Sequence, residues 1–167
     1  MPRLILMRHA KSDWGDPSLD DHARPLNPRG TRSARALGNW LRARGWLPGE
    51  VLCSTATRTR DTLAGLHLDA PTRFLPALYH AAPETMLDAL ATASARTVLL
   101  IGHNPGIGTL AQFLAATPPP HDRFDDYPTG ATLVLDYPGD DWTDVRPDTA
   151  TVLDFVIPRE LEDSADG

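Results

Sequence analysis

Short apolar runs alternating with helix-like segments constrain this chain of 167 residues more than any other feature. Leu4-Ile5-Leu6-Met7, Val51-Leu52-Cys53 and Thr97-Val98-Leu99-Leu100-Ile101 are too short and too uniformly apolar for amphipathic helices. They read as strands buried on both faces, the pattern of a parallel sheet. The segments between them carry helical spacing with start and stop signals. Asn27-Pro28 gives a cap and a first-turn proline, and Ala34, Leu37 and Leu41 recur at helical spacing until Gly45. Ser54 or Thr55 is expected to cap a second helix through Thr62, Leu63 and Leu66 to about Leu68. Pro83 opens a third with Met86, Leu87 and Leu90 on one face, and Asn104-Pro105 starts a fourth through Leu110, Phe113 and Leu114. Strands alternating with helices in this order predict a three-layer α/β/α fold with a mainly parallel central sheet.

Other expectations are more local. Phe74-Leu75 reads as a short strand, and the segment from Thr117 to Pro128, rich in Pro, Asp and His, as a surface loop. Ala131 to Tyr137 alternates as a strand, with Trp142 to Val145 and Thr151 to Ile157 as two further strands. Antiparallel pairing is therefore expected near the C-terminus. The acidic tail from Glu160 to Gly167 reads as frayed, and residues 1–167 as one domain.

Net charge of −6 disfavours nonspecific nucleic-acid binding and makes any anion site depend on local positive charge. No apolar run reaches the length of a membrane span, and Met1-Pro2-Arg3 leads straight into a strand pattern rather than a signal peptide. The lone Cys53 follows Val51-Leu52 as a buried strand residue would, and reads as core packing in a reducing compartment. A cytoplasmic protein with no membrane and no nucleic-acid partner is expected.

Three strand-to-helix junctions carry polar chemistry, each after the carboxyl end of an expected strand, where open α/β sheets place their ligand sites. The first is Arg8-His9. The second, Ser54-Thr55-Ala56-Thr57-Arg58-Thr59-Arg60-Asp61-Thr62, puts Arg58 in the first turn of a helix. The third, Gly102-His103-Asn104-Pro105-Gly106, sets a histidine before a helix whose unpaired N–H groups from Asn104 onward suit a phosphate oxygen. Arg24, Arg29 and Lys11 are further cations that could line a mouth, although isolated surface charges need no special role. Arg60 reads as a solvated or ion-paired residue beside Asp61, and His22, His67 and His121 as bystanders. Trp40, Leu41, Trp46 and Leu47 read as core and loop packing, and Tyr79 as a brace or a packing residue.

These motifs together resemble the histidine phosphatase superfamily, which includes phosphoglycerate mutase-like enzymes, and more narrowly its SixA-type phosphohistidine phosphatases. The matching residues are Arg8-His9-Ala10-Lys11-Ser12, Arg24-Pro25-Leu26 with Arg29-Gly30, Ser54-x-Ala56-x-Arg58-Thr59-x-x-Thr62, Leu78-Tyr79-x-Ala81, Gly102-His103-Asn104-Pro105-Gly106 and Pro128-Thr129-Gly130-Ala131. The resemblance implies a phosphoglycerate mutase-like fold, His9 as nucleophile, Arg8 and Arg58 as phosphoryl ligands, and His103 completing the pocket beside Asn104. Two guanidinium forks and a second imidazole can surround three equatorial oxygens without a metal or other cofactor. Attack requires one unprotonated nitrogen on His9, its other nitrogen donating to a carbonyl, whereas His103 is expected protonated, as a donor.

The chain departs from the family pattern at three places. Ala10 stands where many members have glycine, and Gly15 and Ala77 lie near the positions of a mutase-type asparagine and glutamate acid. His80 and Glu84 are the nearest candidate proton donors. A weak acid suits phosphohistidine, whose imidazole leaves more readily than an alkoxide. The resemblance thus implies as substrate a phosphohistidine-bearing protein such as a phosphotransfer domain. A small phosphorylated metabolite is the alternative substrate, and a catalytically idle phospho-ligand-binding protein is the reading from another class.

Overall fold

In a computed structural model that describes residues 1–165, six strands form one sheet in the order β3-β2-β4-β1-β5-β6. The strands are β1 (Arg3–Arg8), β2 (Glu50–Ser54), β3 (Thr72–Leu75), β4 (Thr97–Gly102), β5 (Thr132–Asp136) and β6 (Thr151–Val156). The first four run parallel, while β5 and β6 are antiparallel to their neighbours. The expected three-layer α/β/α arrangement with a mainly parallel sheet is therefore the one observed, and it matches the phosphoglycerate mutase-like fold.

Alternation along the central strands decides which side chain faces which layer. Leu4 and Leu6 of β1, Leu52 of β2 and Leu100 of β4 pack with α3 (Pro83–Leu90) and α4 (Gly106–Leu114) through Met86, Leu90, Ile107 and Leu110. Ile5, Met7, Val51, Cys53 and Leu99 face the other way. They meet α1 (Pro28–Arg44) and α2 (Thr57–Leu66) through Leu37, Leu41 and Leu66, with Leu161 of α5 (Pro158–Ala165) against the same cluster. Cys53 is buried in that layer, and burial pushes its thiol up to about 12, so it is an inert packing residue.

Local signals mark element ends where their chemistry is unambiguous. Asn27 caps α1, its side chain accepting from Gly30 N at 2.8 Å, and Gly45 ends it at φ 73°. Other boundaries differ. The N-cap of α2 is Ala56, not Ser54 or Thr55, because the Ser54 hydroxyl and carbonyl are taken by Ala56 N and the Thr59 hydroxyl. That helix ends at Leu66, with His67 as its left-handed cap. In α4, Pro105 is the N-cap, yet Asn104 Oδ1 still accepts from Gly108 N at 3.1 Å.

One expectation fails. Trp142 to Val145 forms no strand: Asp141 turns the chain by accepting from Thr143 N, and Trp142 folds inward with its indole N–H on Ala95 O at 2.9 Å. The segment from Glu160 to Ala165 belongs to α5 (Pro158–Ala165). Pro158 opens α5, the Glu160 carboxylate accepts from Ile157 N at 3.1 Å as in a capping box, and Leu161 packs on the core. Residues 166–167 of the expected tail lie outside the described residues. The loop from Thr117 to Pro128 is largely exposed, but Phe124 and Tyr127 are buried, and the Tyr127 hydroxyl donates to Leu6 O at 2.6 Å. Among the described residues, no helix is long and apolar enough to cross a membrane.

Candidate active site

Strands β2, β4 and β1 are adjacent and parallel, so their carboxyl ends bring Ser54, His103 and Arg8-His9 to one edge of the sheet. His9 is held on both sides: its N–H donates to Gly102 O at 3.1 Å, and its carbonyl accepts from Gly130 N at 2.8 Å. The chain beyond it is tied to α2, because Ala10 N donates to the Thr62 hydroxyl at 3.0 Å. Thr62 in turn donates to Arg58 O at 2.7 Å. One threonine thus couples the loop after His9 to the helical turn that carries Arg58.

The His9 ring is 5% exposed, and its Nδ1 lies 2.7 Å from the Ala10 carbonyl oxygen. A carbonyl can only accept, so Nδ1 carries the proton and Nε2 presents its lone pair. Burial first, then the charges of Arg8, Arg58 and Arg24, lower its pKa to about 3, against the opposing bond to Ala10. His9 is neutral at ordinary pH, in the tautomer a nucleophile needs.

His103 stands 5.4 Å away between ring centroids, and its Nε2 lies 2.8 Å from the Ser54 hydroxyl. Its pKa is also lowered to about 3, by burial and then by His9, Arg58 and His80, so the expectation of a protonated His103 is corrected. The hydroxyl geometry supplies the donor in another way. Ser54 Oγ accepts from Ala56 N at 3.3 Å, and His103 Nε2 is the acceptor for its proton among the described residues. Nε2 is then the accepting nitrogen, and neutral His103 carries its proton on the buried Nδ1.

Three guanidinium groups surround these rings. Arg8 donates from Nη1 to Tyr127 O at 3.2 Å, and burial and Arg58 lower its pKa. Arg58, 3% exposed, donates from both ends of its fork to Asp21: Nη1 to the carbonyl at 2.7 Å and Nη2 to the carboxylate at 3.0 Å. Arg24 is 7% exposed, pairs with Asp21 at 2.9 Å, and stacks on Trp14 at 3.2 Å from the ring centroid. Among the described residues, the buried nitrogens without a hydrogen-bond partner are Arg8 Nε, Arg24 Nε and Nη1, Arg58 Nε and His103 Nδ1. A buried N–H left unpaired costs stability, so a cluster of them suits an oxyanion.

Asp21 is the residue that sequence reasoning missed. Its carboxylate accepts from Arg24, Arg58, the Tyr79 hydroxyl and His80 Nε2, the last at 3.2 Å. Its pKa falls well below the carboxylate range, through Tyr79 first and then Arg58, so it remains an anion and a poor proton donor. Nothing in Ser18-Leu19-Asp20-Asp21 singles it out, apart from Arg24 three residues on. Arg24 belongs to the pocket and is not an isolated surface charge, and Ser54 and Thr62 acquire roles that their place in the motif does not disclose.

Of the candidate donors, His80 is brought to the site, its ring 5.4 Å from His103 and its nitrogen on Asp21. Glu84 is exposed on the first turn of α3, with no hydrogen bond or ion pair to these groups among the described residues. Asn104 is committed to structure, donating to Asp126 O and Tyr127 O at 3.0 and 2.9 Å, so a phosphate contact there would fall to its main chain. Tyr79 braces the pocket, with its ring edge-on to His103. Arg60 donates to Thr55 O and lies over Phe74 instead of pairing with Asp61, whose carboxylate takes Leu26 N. His22 meets Thr55 and Tyr79, one layer out from the centre.

Known proteins share this architecture. Residues 4–84 match the model of the histidine phosphatase superfamily, branch 1. An uncharacterized protein of Mycobacterium tuberculosis is 42% identical over 160 residues, covering 92% of this chain and all of that one. A SixA protein from Nakamurella multipartitia is 34% identical, with a TM-score of 0.80 over 94% of this chain and 96% of that one. A second SixA, from Agrobacterium tumefaciens, is 26% identical with a TM-score of 0.76 over 94% and 99%. With that identity along nearly its whole length, and with a structure that superposes on SixA proteins throughout, the chain belongs to the histidine phosphatase superfamily and is of the SixA type.

Proposed function

We propose that the protein is a cytoplasmic phosphohistidine phosphatase that works through a covalent phospho-His9 intermediate. The observation that carries this reading is the lock on the His9 ring, Nδ1 on the Ala10 carbonyl, which leaves Nε2 unprotonated amid three guanidinium groups. Nε2 attacks phosphorus in line as the bond to the substrate's imidazole nitrogen breaks, and that imidazole departs with a proton. Water then attacks the phosphorus, releasing inorganic phosphate and restoring neutral His9. Arg8, Arg24 and Arg58, with His103 Nδ1–H, provide N–H donors for the three equatorial oxygens, and their fixed positive charge does the work that a metal does in other phosphatases.

The identity of the leaving group follows from the acids present. Asp21 stays ionised, which leaves His80, exposed at the mouth with its Nε2 on the Asp21 carboxylate, as the candidate proton donor. An imidazole leaving group needs less acid assistance than an alkoxide, which supports phosphohistidine on a partner protein, such as a phosphotransfer domain, over a small phosphate ester. The likeness to SixA proteins points to the same substrate class. The test is a rate comparison on phosphohistidine and alkyl phosphates, with and without a chelator. Faster turnover of phosphohistidine, unaffected by chelation, is expected, and faster turnover of alkyl esters would overturn the assignment.

A further inference from the structure

Beside the catalytic pocket lies a hollow of about 250 Å³ lined by Lys11, Arg29, Arg123, Thr129 and Arg159. The chain as a whole is acidic, so four cations around one small hollow stand apart from its general charge. Arg123 pairs with Asp126 at 2.7 Å, whereas Lys11, Arg29 and Arg159 have no ion pair among the described residues. A sphere of that volume is about 8 Å across, within the Debye length of physiological salt, so the fields of these charges add at its centre.

Tight backbone packing holds the cations there. A Cβ on Gly30 would stand 2.1 Å from the Lys11 carbonyl oxygen, so only glycine lets the start of α1 bring Arg29 against Lys11. Gly130 has φ 77°, and a Cβ on it would meet Pro158 Cγ at 2.4 Å, which seats Thr129 against the start of α5 and Arg159. The hollow is also joined to the chemistry. Lys11 is two residues beyond His9, and the wall at Pro128-Thr129 leads into Gly130, whose N–H holds the His9 carbonyl. A polypeptide with its phosphohistidine at His9 would run its neighbouring residues over this hollow.

We propose that the hollow binds an acidic side chain, Asp or Glu, flanking the phosphohistidine of the protein substrate, a specificity site that rests on the phosphohistidine phosphatase reading. A carboxylate accepts two N–H bonds from a guanidinium fork, and three cations without ion pairs among the described residues gain from one anion at their focus. The hollow contributes binding common to ground and transition states, so it acts on KM.

The test uses two phosphohistidine peptides that differ only in flanking glutamates or glutamines, with the wild-type protein and Arg29→Gln/Arg159→Gln. The readout is the ratio of kcat/KM for the two peptides, because any general loss enters both alike. The wild type is expected to prefer the glutamate peptide about tenfold through KM, falling to about twofold in the double variant. Arg159→Glu, which places a like charge in the hollow, is expected to reverse the preference. A ratio near one in the wild type, or one that survives the double substitution, would overturn the proposal. If neither peptide is dephosphorylated while His9 still takes phosphate from a small phosphoramidate, the protein-substrate reading falls and the acidic-flank site with it.

Discussion

Lowering the pH should unfold this protein earlier than its carboxylates alone would dictate, because two buried histidines resist protonation in the folded state. His9 and His103 both have folded pKa values lowered to about 3, against about 6.5 in an unfolded chain. Between those limits the unfolded state binds two protons that the folded state does not, so stability falls as pH falls. At about pH 5 the unfolded chain gains 2.303RT·log(1 + 10^1.5), about 2 kcal/mol per histidine and about 4 kcal/mol for the pair. That is a large fraction of the roughly 5–15 kcal/mol typical of a domain. Asp21 and Glu50, whose pKa values are lowered, act in the same direction but only at more acid pH, as their unfolded forms begin to protonate near 4. Urea midpoints from about pH 8 to about pH 5 isolate the histidine effect in wild type, His9→Gln and His103→Gln. Each substitution should remove about half of the slope. Equal slopes in all three proteins, or a ring titration of His9 near pH 6.5, would refute the burial argument.

Two further substitutions probe the supports of the site. Asp21→Ala removes the carboxylate that holds Arg24 and Arg58. Because that carboxylate is partly exposed, the cost in stability should be about 1–2 kcal/mol, with kcat falling about tenfold or more as the guanidinium groups lose orientation, measured by denaturation and steady-state kinetics. Thr62→Val cuts the hydroxyl link between Ala10 N and the Arg58 carbonyl. Leaving a buried N–H unpaired should cost about 1–3 kcal/mol and lower kcat more than it raises KM; an unchanged kcat would remove Thr62 from the positioning of His9.

Much of the frame was legible because it depends on local chemistry. The apolar runs at Leu4, Val51 and Val98 could only be strands buried on both faces, and Asn27-Pro28 and Gly45 marked both ends of α1. The candidate site was legible because each member sits at a strand-to-helix junction, and adjacency of β2, β4 and β1 brought the three junctions together. What stayed hidden depends on long-range contact. Asp21 lies in a loop of ordinary polar residues, and its role emerges only when Arg24, Arg58, Tyr79 and His80 converge on it. The protonation of His103 could not be read from neighbours in sequence, since burial, His9 and Arg58 decide it. The missing strand at Trp142 shows the same limit, for its burial is satisfied by Ala95 O and the Tyr137 ring instead of a ladder.

In the proposed mechanism His9 attacks through Nε2, because Nδ1 is occupied by the Ala10 carbonyl. Phosphorus NMR of the protein quenched during turnover, with proteolysis and mass spectrometry to place the label, tests it most directly. An acid-labile phosphoramidate on His9 at Nε2, absent from His9→Ala, is the expected result. Phosphate on Nδ1 or on another residue, or continued turnover by His9→Ala, would contradict it.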